Sequence, residues 1–227
     1  MAGGWSALEK SLRRFGATHI AGVDEVGRGP LAGPVVVCAI VMPADRRAIA
    51  GVTDSKQLTA AVRERLAVRI REEAVALALG AASVPEIARW NIYQATARAM
   101  ARAIARLDTE LDTALGLERG SERGVERGSE LRALDEILVD GKPIATLGVP
   151  HRAIVGGDAR CYSIGCASIV AKVVRDRLMA TLAARYPAYG WERNAGYGTP
   201  AHIEALRISG LTGHHRVSFC RTALSGD

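Results

Sequence analysis

Short apolar runs alternate along the chain with polar, glycine-bearing connectors. His19-Ile-Ala-Gly-Val-Asp24 is a short apolar run that ends in acids, and residues 34–42 contain the β-branched run Val-Val-Val-Cys-Ala-Ile-Val. Between them, Gly27-Arg-Gly-Pro-Leu-Ala-Gly33 holds three glycines and a proline, a composition that favours a tight connector. The two runs are read as adjacent antiparallel strands, and the alternating residues 75–84 as a third. Residues 58–73 predict a helix, because Thr59 can cap it and Val62, Leu66 and Ile70 recur at helical spacing. Pro85 suits a first helical turn, and residues 92–107 continue with an Ala-rich amphipathic pattern. Residues 136–140 form another strand ending in an acid, 152–155 a further short strand, 164–185 a long helix and 200–209 a short one. Three antiparallel strands followed by alternating strands and helices predict an α/β fold, a mixed sheet flanked by helices.

One stretch breaks this pattern. Leu117-Glu-Arg-Gly-Ser-Glu-Arg-Gly-Val-Glu-Arg-Gly-Ser-Glu130 is a near-repeat of Glu-Arg-Gly-x. Its frequent glycines and missing apolar face predict a loosely ordered surface loop rather than a helix. Its four Glu and three Arg nearly cancel, which makes it a poor nucleic-acid arm.

Composition narrows the class. The 227 residues, 48% hydrophobic, suffice for one buried domain, with or without a small appendage. Aromatics are only 4%, so the core must come from Ala, Val, Leu and Ile. No apolar run has the length of a membrane span, and the N-terminus lacks a secretory pattern. Cys38, Cys161, Cys166 and Cys220 show no C-x-x-C pair or zinc spacing and are read as reduced, buried thiols of a cytoplasmic protein. Net charge is +6, and the segment from Pro150 onward holds ten Lys and Arg against five Asp and Glu. That bias is compatible with an anionic partner and does not define one. His202, His214 and His215 fit no zinc spacing and are read as structural or phosphate-facing.

The carboxylates suggest chemistry. Asp24 with Glu25 closes one strand, Asp140 closes another, and Asp176 lies on the long helix in Ala-Lys-Val-Val-Arg-Asp. Acids converging beyond a sheet edge repel unless protonated or bound to a cation. Mg²⁺ or Mn²⁺ takes such oxygen ligands, and a pair of ions can activate water for phosphodiester cleavage. Each acid taken singly could equally be a helix cap or an ion-pair partner, and spacing alone leaves both readings open.

The words around these acids carry a resemblance. Ala21-Gly-Val-Asp-Glu-Val-Gly-Arg-Gly-Pro-Leu-Ala-Gly-Pro34 resembles the signature that opens ribonuclease HII domains. Further similar blocks follow in order: Asp54-Ser-Lys-Gln-Leu58, Asn91-Ile-Tyr-Gln-Ala-Thr96, Val139-Asp-Gly141, Ser163 to Asp176, Gly196-Tyr-Gly-Thr-Pro-Ala-His202 and His215-Arg-Val-Ser-Phe219. The resemblance implies an RNase H-like fold, with an N-terminal segment 1–18, a catalytic domain 19–208 and a small helical C-terminal extension 209–227. It implies an endonuclease that hydrolyses the RNA strand of RNA/DNA hybrids and cuts 5′ of single ribonucleotides in duplex DNA. The expected products carry a 5′-phosphate and a 3′-hydroxyl. It implies Asp24, Glu25, Asp140 and Asp176 as catalytic, metal-holding acids, with two Mg²⁺ or Mn²⁺ ions in the substrate complex, in a monomer.

The resemblance also assigns Gly27, Arg28, Gly29 and Tyr197 to recognition of the ribonucleotide junction. Glycine lets backbone approach a sugar, and the 2′-hydroxyl is what separates RNA from DNA at that position. Lys56 and Lys172 are candidate phosphate contacts, although Lys172 can instead pair with Asp176 one turn on. Two departures stand out: Ala195 occupies a place where the family commonly has lysine, and Gly165-Cys166 replaces a small Ala-Ala pair. Two other readings are a different two-metal nuclease on the same fold, which would lack the 2′-hydroxyl reader, and a non-catalytic nucleic-acid-binding module. Four acids beside phosphate would weaken the latter.

Overall fold

The computed structural model describes residues 4–116 and 133–225. The Glu-Arg-Gly-rich segment 117–130 lies outside the described residues. Five strands, β1 (Ile20–Val26), β2 (Val35–Val41), β3 (Ala76–Ala82), β4 (Glu136–Asp140) and β5 (Arg152–Ile154), form one sheet in the order β3-β2-β1-β4-β5. β1 pairs antiparallel with β2 and β2 with β3, while β4 runs parallel to β1 and to β5. This is the mixed sheet expected from the sequence. β2 is buried along its whole length, as an uninterrupted β-branched run requires when both faces of a sheet are covered.

The helices explain that burial. α3 (Val84–Ala114) covers one face, where Ala21, Val23, Val37 and Val139 pack with Met100, Ile104 and Leu107. α2 (Ala60–Glu73) and α5 (Tyr162–Arg185), the latter flanked by the short α4 (Gly157–Arg160) and α6 (Trp191–Asn194), cover the other, where Cys38 and Ile40 meet Leu66, Ile70, Ile169 and Val173. The stretch of β1 beneath α5 needs Gly22, because a Cβ there would lie 2.2 Å from the carbonyl carbon of Ser163.

Two elements differ from the sequence expectation. β1 runs past Asp24 to Val26, because the ladder with β2 continues through Glu25↔Val37 and Val26↔Val36. α3 is two helices joined at Asn91, whose φ of 61° and ψ of 168° break the spiral. The Asn91 Oδ1 accepts from the N–H groups of Tyr93 and Gln94 and so caps the second half. The first half opens on a Ser83–Glu86 capping box.

The N-terminal segment folds into α1 (Ala7–Arg14), opened by a Ser6–Glu9 capping box. Glu9 is buried, and its carboxylate accepts from Tyr162 N at 3.1 Å, Ser163 N at 2.9 Å and Ser163 Oγ at 2.7 Å. An acid from α1 thereby caps α5, which has no side-chain cap of its own. Glu9→Ala is expected to lose about 3 kcal/mol, since it strands buried N–H groups. Urea melts against the parent check this; a loss under about 0.5 kcal/mol contradicts the capping role.

Candidate active site

Strand register gathers the acids. Val23 pairs with Val139 across the parallel β1–β4 ladder, so Asp24 and Asp140 follow at the same end of adjacent strands. Strand alternation puts both on the α5 side, below Gly22 and Leu138, and turns Glu25 to the α3 side. Asp24 Oδ1 accepts from Glu25 N at 2.7 Å and Asp140 Oδ1 from Gly157 N at 2.6 Å. Burial, reinforced by Glu25 and Asp140, pushes the Asp24 carboxyl well above its ordinary range. Burial also raises Glu25, an effect opposed by Arg28 and supported by Asp140. Arg28 Nη1 lies 3.2 Å from Glu25 Oε1. The other oxygen, Glu25 Oε2, is buried with no hydrogen-bond partner.

α5 brings the remaining acid. Ser168, Lys172 and Asp176 recur every four residues and share one helix face. The Ser168 hydroxyl is within hydrogen-bond reach of Asp24 and lies 3.0 Å from Ser55 Oγ. Lys172 Nζ donates to Asp176 Oδ1 at 2.8 Å, so the pairing alternative is the one observed for Lys172. Arg63 Nη2 stands 3.8 Å from Asp176, while Arg63 Nη1 donates to the carbonyls of Ser55 and Leu58. Asp176 is thus tied through Arg63 and the two serines to Asp24. Among the described residues, no three His, Cys, Asp or Glu side chains make a ready cation cage. The structure couples Asp24, Glu25 and Asp140 and leaves Asp176 in its own ion pairs.

Lys56 lies at the same site. Its ammonium is 3.6 Å from Asp158 and largely exposed. Burial, the largest single influence, lowers its pKa, but Asp158, Asp54, Asp24 and Asp140 together outweigh this and raise it. Asp158 and Arg63 were not singled out from sequence; no local pattern distinguishes either from an ordinary surface charge. A cleft of about 520 Å³ opens beside the acids, lined by Glu25, Arg28 and Asp140 together with Tyr93, Thr96 and Lys142.

The Gly27–Gly29 loop meets Tyr197. A Cβ placed on Gly29 would find Tyr197 Cε1 as its near neighbour, at 3.8 Å. Two buried arginines brace this junction from below. Arg216 donates to the carbonyls of Gly27 (2.5 Å), Arg28 (2.8 Å) and Gly33 (2.8 Å). Arg175 donates to those of Ala32 (3.0 Å), Pro34 (3.0 Å) and Ala195 (2.8 Å). Burial lowers both guanidinium pKa values, and with the neighbouring Arg175 it brings that of Arg216 down to about 10. Arg216 lies on the segment leading into α8 (Val217–Ser225), which packs with α7 (Pro200–Ser209), Trp191 and Leu31 in one cluster. Nothing in the spacing of Arg175 or Arg216 marks them as buried; most arginines lie on surfaces.

The family model described as Ribonuclease HII matches residues 21–222. The chain belongs to the ribonuclease HII family. It is 47% identical over 220 residues to the ribonuclease HII of Thermosynechococcus vestitus, covering 96% of this chain and 92% of that protein. Solved structures agree on the fold. The ribonuclease H2 of Pyrococcus horikoshii superposes with a TM-score of 0.68 at 24% identity, over 92% of this chain and 98% of that one. Bst-RNase HIII in complex with Mn²⁺ superposes at 0.66 and 19% identity, over 94% of this chain and 71% of that one. As a ribonuclease HII family member, the chain is an endoribonuclease acting on the RNA of RNA/DNA hybrids, and it depends on divalent metal. Among the described residues, no helix is long and apolar enough to cross a membrane.

Proposed function

We propose that Asp24, Glu25, Asp140 and Asp176 hold Mg²⁺ or Mn²⁺ ions, two in the substrate complex, and that this site cuts 5′ of a ribonucleotide. The observation that carries the proposal is the unpartnered, buried Glu25 Oε2 beside two acids that repel it. An orphaned carboxylate oxygen is costly in a folded protein unless a cation completes it. The donors are all oxygens, which suits Mg²⁺ or Mn²⁺. The missing cage fits the same account, since Mg²⁺ is commonly held by one or two carboxylates together with substrate phosphate. When bound, the ions lower the pKa of water and offset charge on the leaving oxygen.

The chain's own residues position the substrate. Gly27, Arg28, Gly29 and Tyr197 read the 2′-hydroxyl and the nucleotide beside it. Lys56, exposed over the acids, receives a phosphate, and Lys172 holds Asp176 in place where a second phosphate arrives. Residues 19–208 act as the catalytic domain, and the extension 209–227 supplies Arg216. The active unit is read as a monomer. Four free, buried cysteines suit the reducing cytoplasm.

Metal-linked stability tests the site. Mn²⁺ at about a hundred times its Kd is expected to stabilise the parent by about 2.7 kcal/mol. Glu25→Gln is expected to lose most of that gain in a thermal melt. An undiminished gain in Glu25→Gln removes Glu25 from the ligand set.

A further inference from the structure

A buried pair of histidines lies beneath Tyr197, outside the acid cluster. His202 sits in the first turn of α7 and His215 just before α8, and both are almost wholly enclosed. Their hydrogen bonds fix where each proton resides. The backbone carbonyl of Tyr197 can only accept, so His202 Nδ1, 2.9 Å away, must carry a hydrogen. The backbone N–H of Thr212 can only donate, so His215 Nδ1, also 2.9 Å away, must be bare. The His215 hydrogen is then on Nε2, aimed at the bare Nε2 of His202 at 3.1 Å. Trp191 Nε1 donates to that same nitrogen at 3.1 Å.

All these contacts agree with one order of donors. It runs from Thr212 through His215 and His202 to the Tyr197 carbonyl. Burial keeps both rings neutral: it lowers His202, and together with His202 and His214 it holds His215 down to about 4. Tyr189 and Trp191 pack around the pair. Tyr197 above is 43% exposed. Its place over Gly29 therefore depends on how its main chain is held. Thr199 N also donates to the Tyr197 carbonyl, at 2.8 Å, so the turn entering α7 and the histidine pair meet on one oxygen.

We propose that His202 and His215 form a single positioning unit for Tyr197, and that this unit sets how strongly the enzyme favours a single ribonucleotide over a long hybrid. The proposal rests on the reading of Tyr197 as a junction-recognition residue. Neither histidine touches substrate; both act through the main chain of Tyr197. A displaced Tyr197 ring misplaces the nucleotide next to the cut, and misplacement of about 1 Å can cost on the order of a hundredfold in rate. Long hybrids present many registers, so they tolerate a loosened reader better.

Two substitutions separate positioning from general stability. In His202→Asn, the amide nitrogen reaches the place of Nδ1 and can keep the bond to the Tyr197 carbonyl. In His202→Gln, it reaches the place of Nε2 and cannot. Both disturb the buried network and are expected to lower the melting temperature. The kcat and KM of each are measured on a DNA duplex with one ribonucleotide and on a long RNA/DNA hybrid, with Tyr197→Ala in parallel. His202→Gln is expected to lose about tenfold in kcat at the single ribonucleotide, with KM within about twofold and a smaller change on the hybrid. His202→Asn is expected to keep the parental ratio between substrates. Parallel losses on both substrates in both variants, or a parental ratio in His202→Gln, overturn the proposal. If Tyr197→Ala loses the preference while His202→Gln keeps it, the histidine unit alone fails. If Tyr197→Ala keeps the preference, the reading of Tyr197 fails and takes the proposal with it. Long-range ¹H–¹⁵N spectra of the parent protein test the donor order without any substitution. His202 is expected as the Nδ1–H tautomer and His215 as the Nε2–H tautomer, and the reverse assignment overturns the unit even if a variant does not fold.

Discussion

Asp24→Asn is expected to reduce cleavage about a thousandfold, the equivalent of several kcal/mol of transition-state stabilisation, while leaving the metal-free protein at least as stable as the parent. Both halves follow from the same geometry. Asp24 is buried next to Glu25 and Asp140, and burial with those two charges holds its carboxyl well above the ordinary value. A carboxyl raised in the folded state favours folding while it is protonated. Metal-free stability of the parent should therefore fall as pH climbs from the ordinary carboxylate range through the raised value. Asn carries no charge, so the variant should lose this part of the pH dependence. Urea melts across that pH range in chelator, paired with cleavage rates, check the prediction. A variant that is inactive and also destabilised at neutral pH would make Asp24 a structural acid.

Gly27→Ala is expected to cost about 4 kcal/mol, and Gly51→Ala only about 1 kcal/mol, although both glycines have a left-handed backbone. Gly27 has φ 95° and Gly51 φ 89°. The difference lies in what surrounds them. A Cβ on Gly27 would stand 2.1 Å from Arg175 Nε and 2.7 Å from the Pro34 carbonyl oxygen, whereas a Cβ on Gly51 meets nothing within 4 Å. Arg175 cannot move aside, because it is buried and bound to three carbonyls. Displacing it would release Ala32, Pro34 and Ala195 together, and with them the support under Gly29 and Tyr197. Equilibrium urea melts of the two variants measure the contrast. Equal losses would mean that φ alone governs both positions and that the arginine brace contributes nothing.

The strands and the three acids on them were legible because apolar runs and their polar ends are local signals. β2 had to be buried on both faces, and Asp140 had to close its strand. The length of β1 was not legible, since only pairing with β2 decides that Glu25 and Val26 stay in the ladder. The break at Asn91 was hidden inside an Ala-rich helical pattern. Glu9 reads as a surface acid on a short polar helix, and its partners at Tyr162 and Ser163 are more than 150 residues away. Arg175, Arg216, His202 and His215 were equally hidden as support: a buried arginine or a directed histidine pair is defined by its surroundings, which spacing does not encode. Lys172 shows the opposite case, where the four-residue step to Asp176 already contained the ion pair.

The central claim is that metal-activated water makes the cut and that the 2′-hydroxyl is read rather than used. Mapping both product ends on a DNA duplex with one ribonucleotide, in Mg²⁺, in Mn²⁺ and in chelator, tests it most directly. Cleavage only with metal, on the 5′ side of the ribonucleotide, with a 5′-phosphate and a 3′-hydroxyl, is the predicted result. A 2′,3′-cyclic phosphate would show the 2′-hydroxyl attacking, and undiminished cutting in chelator would show that metal is not needed to activate the water; either result would contradict the account.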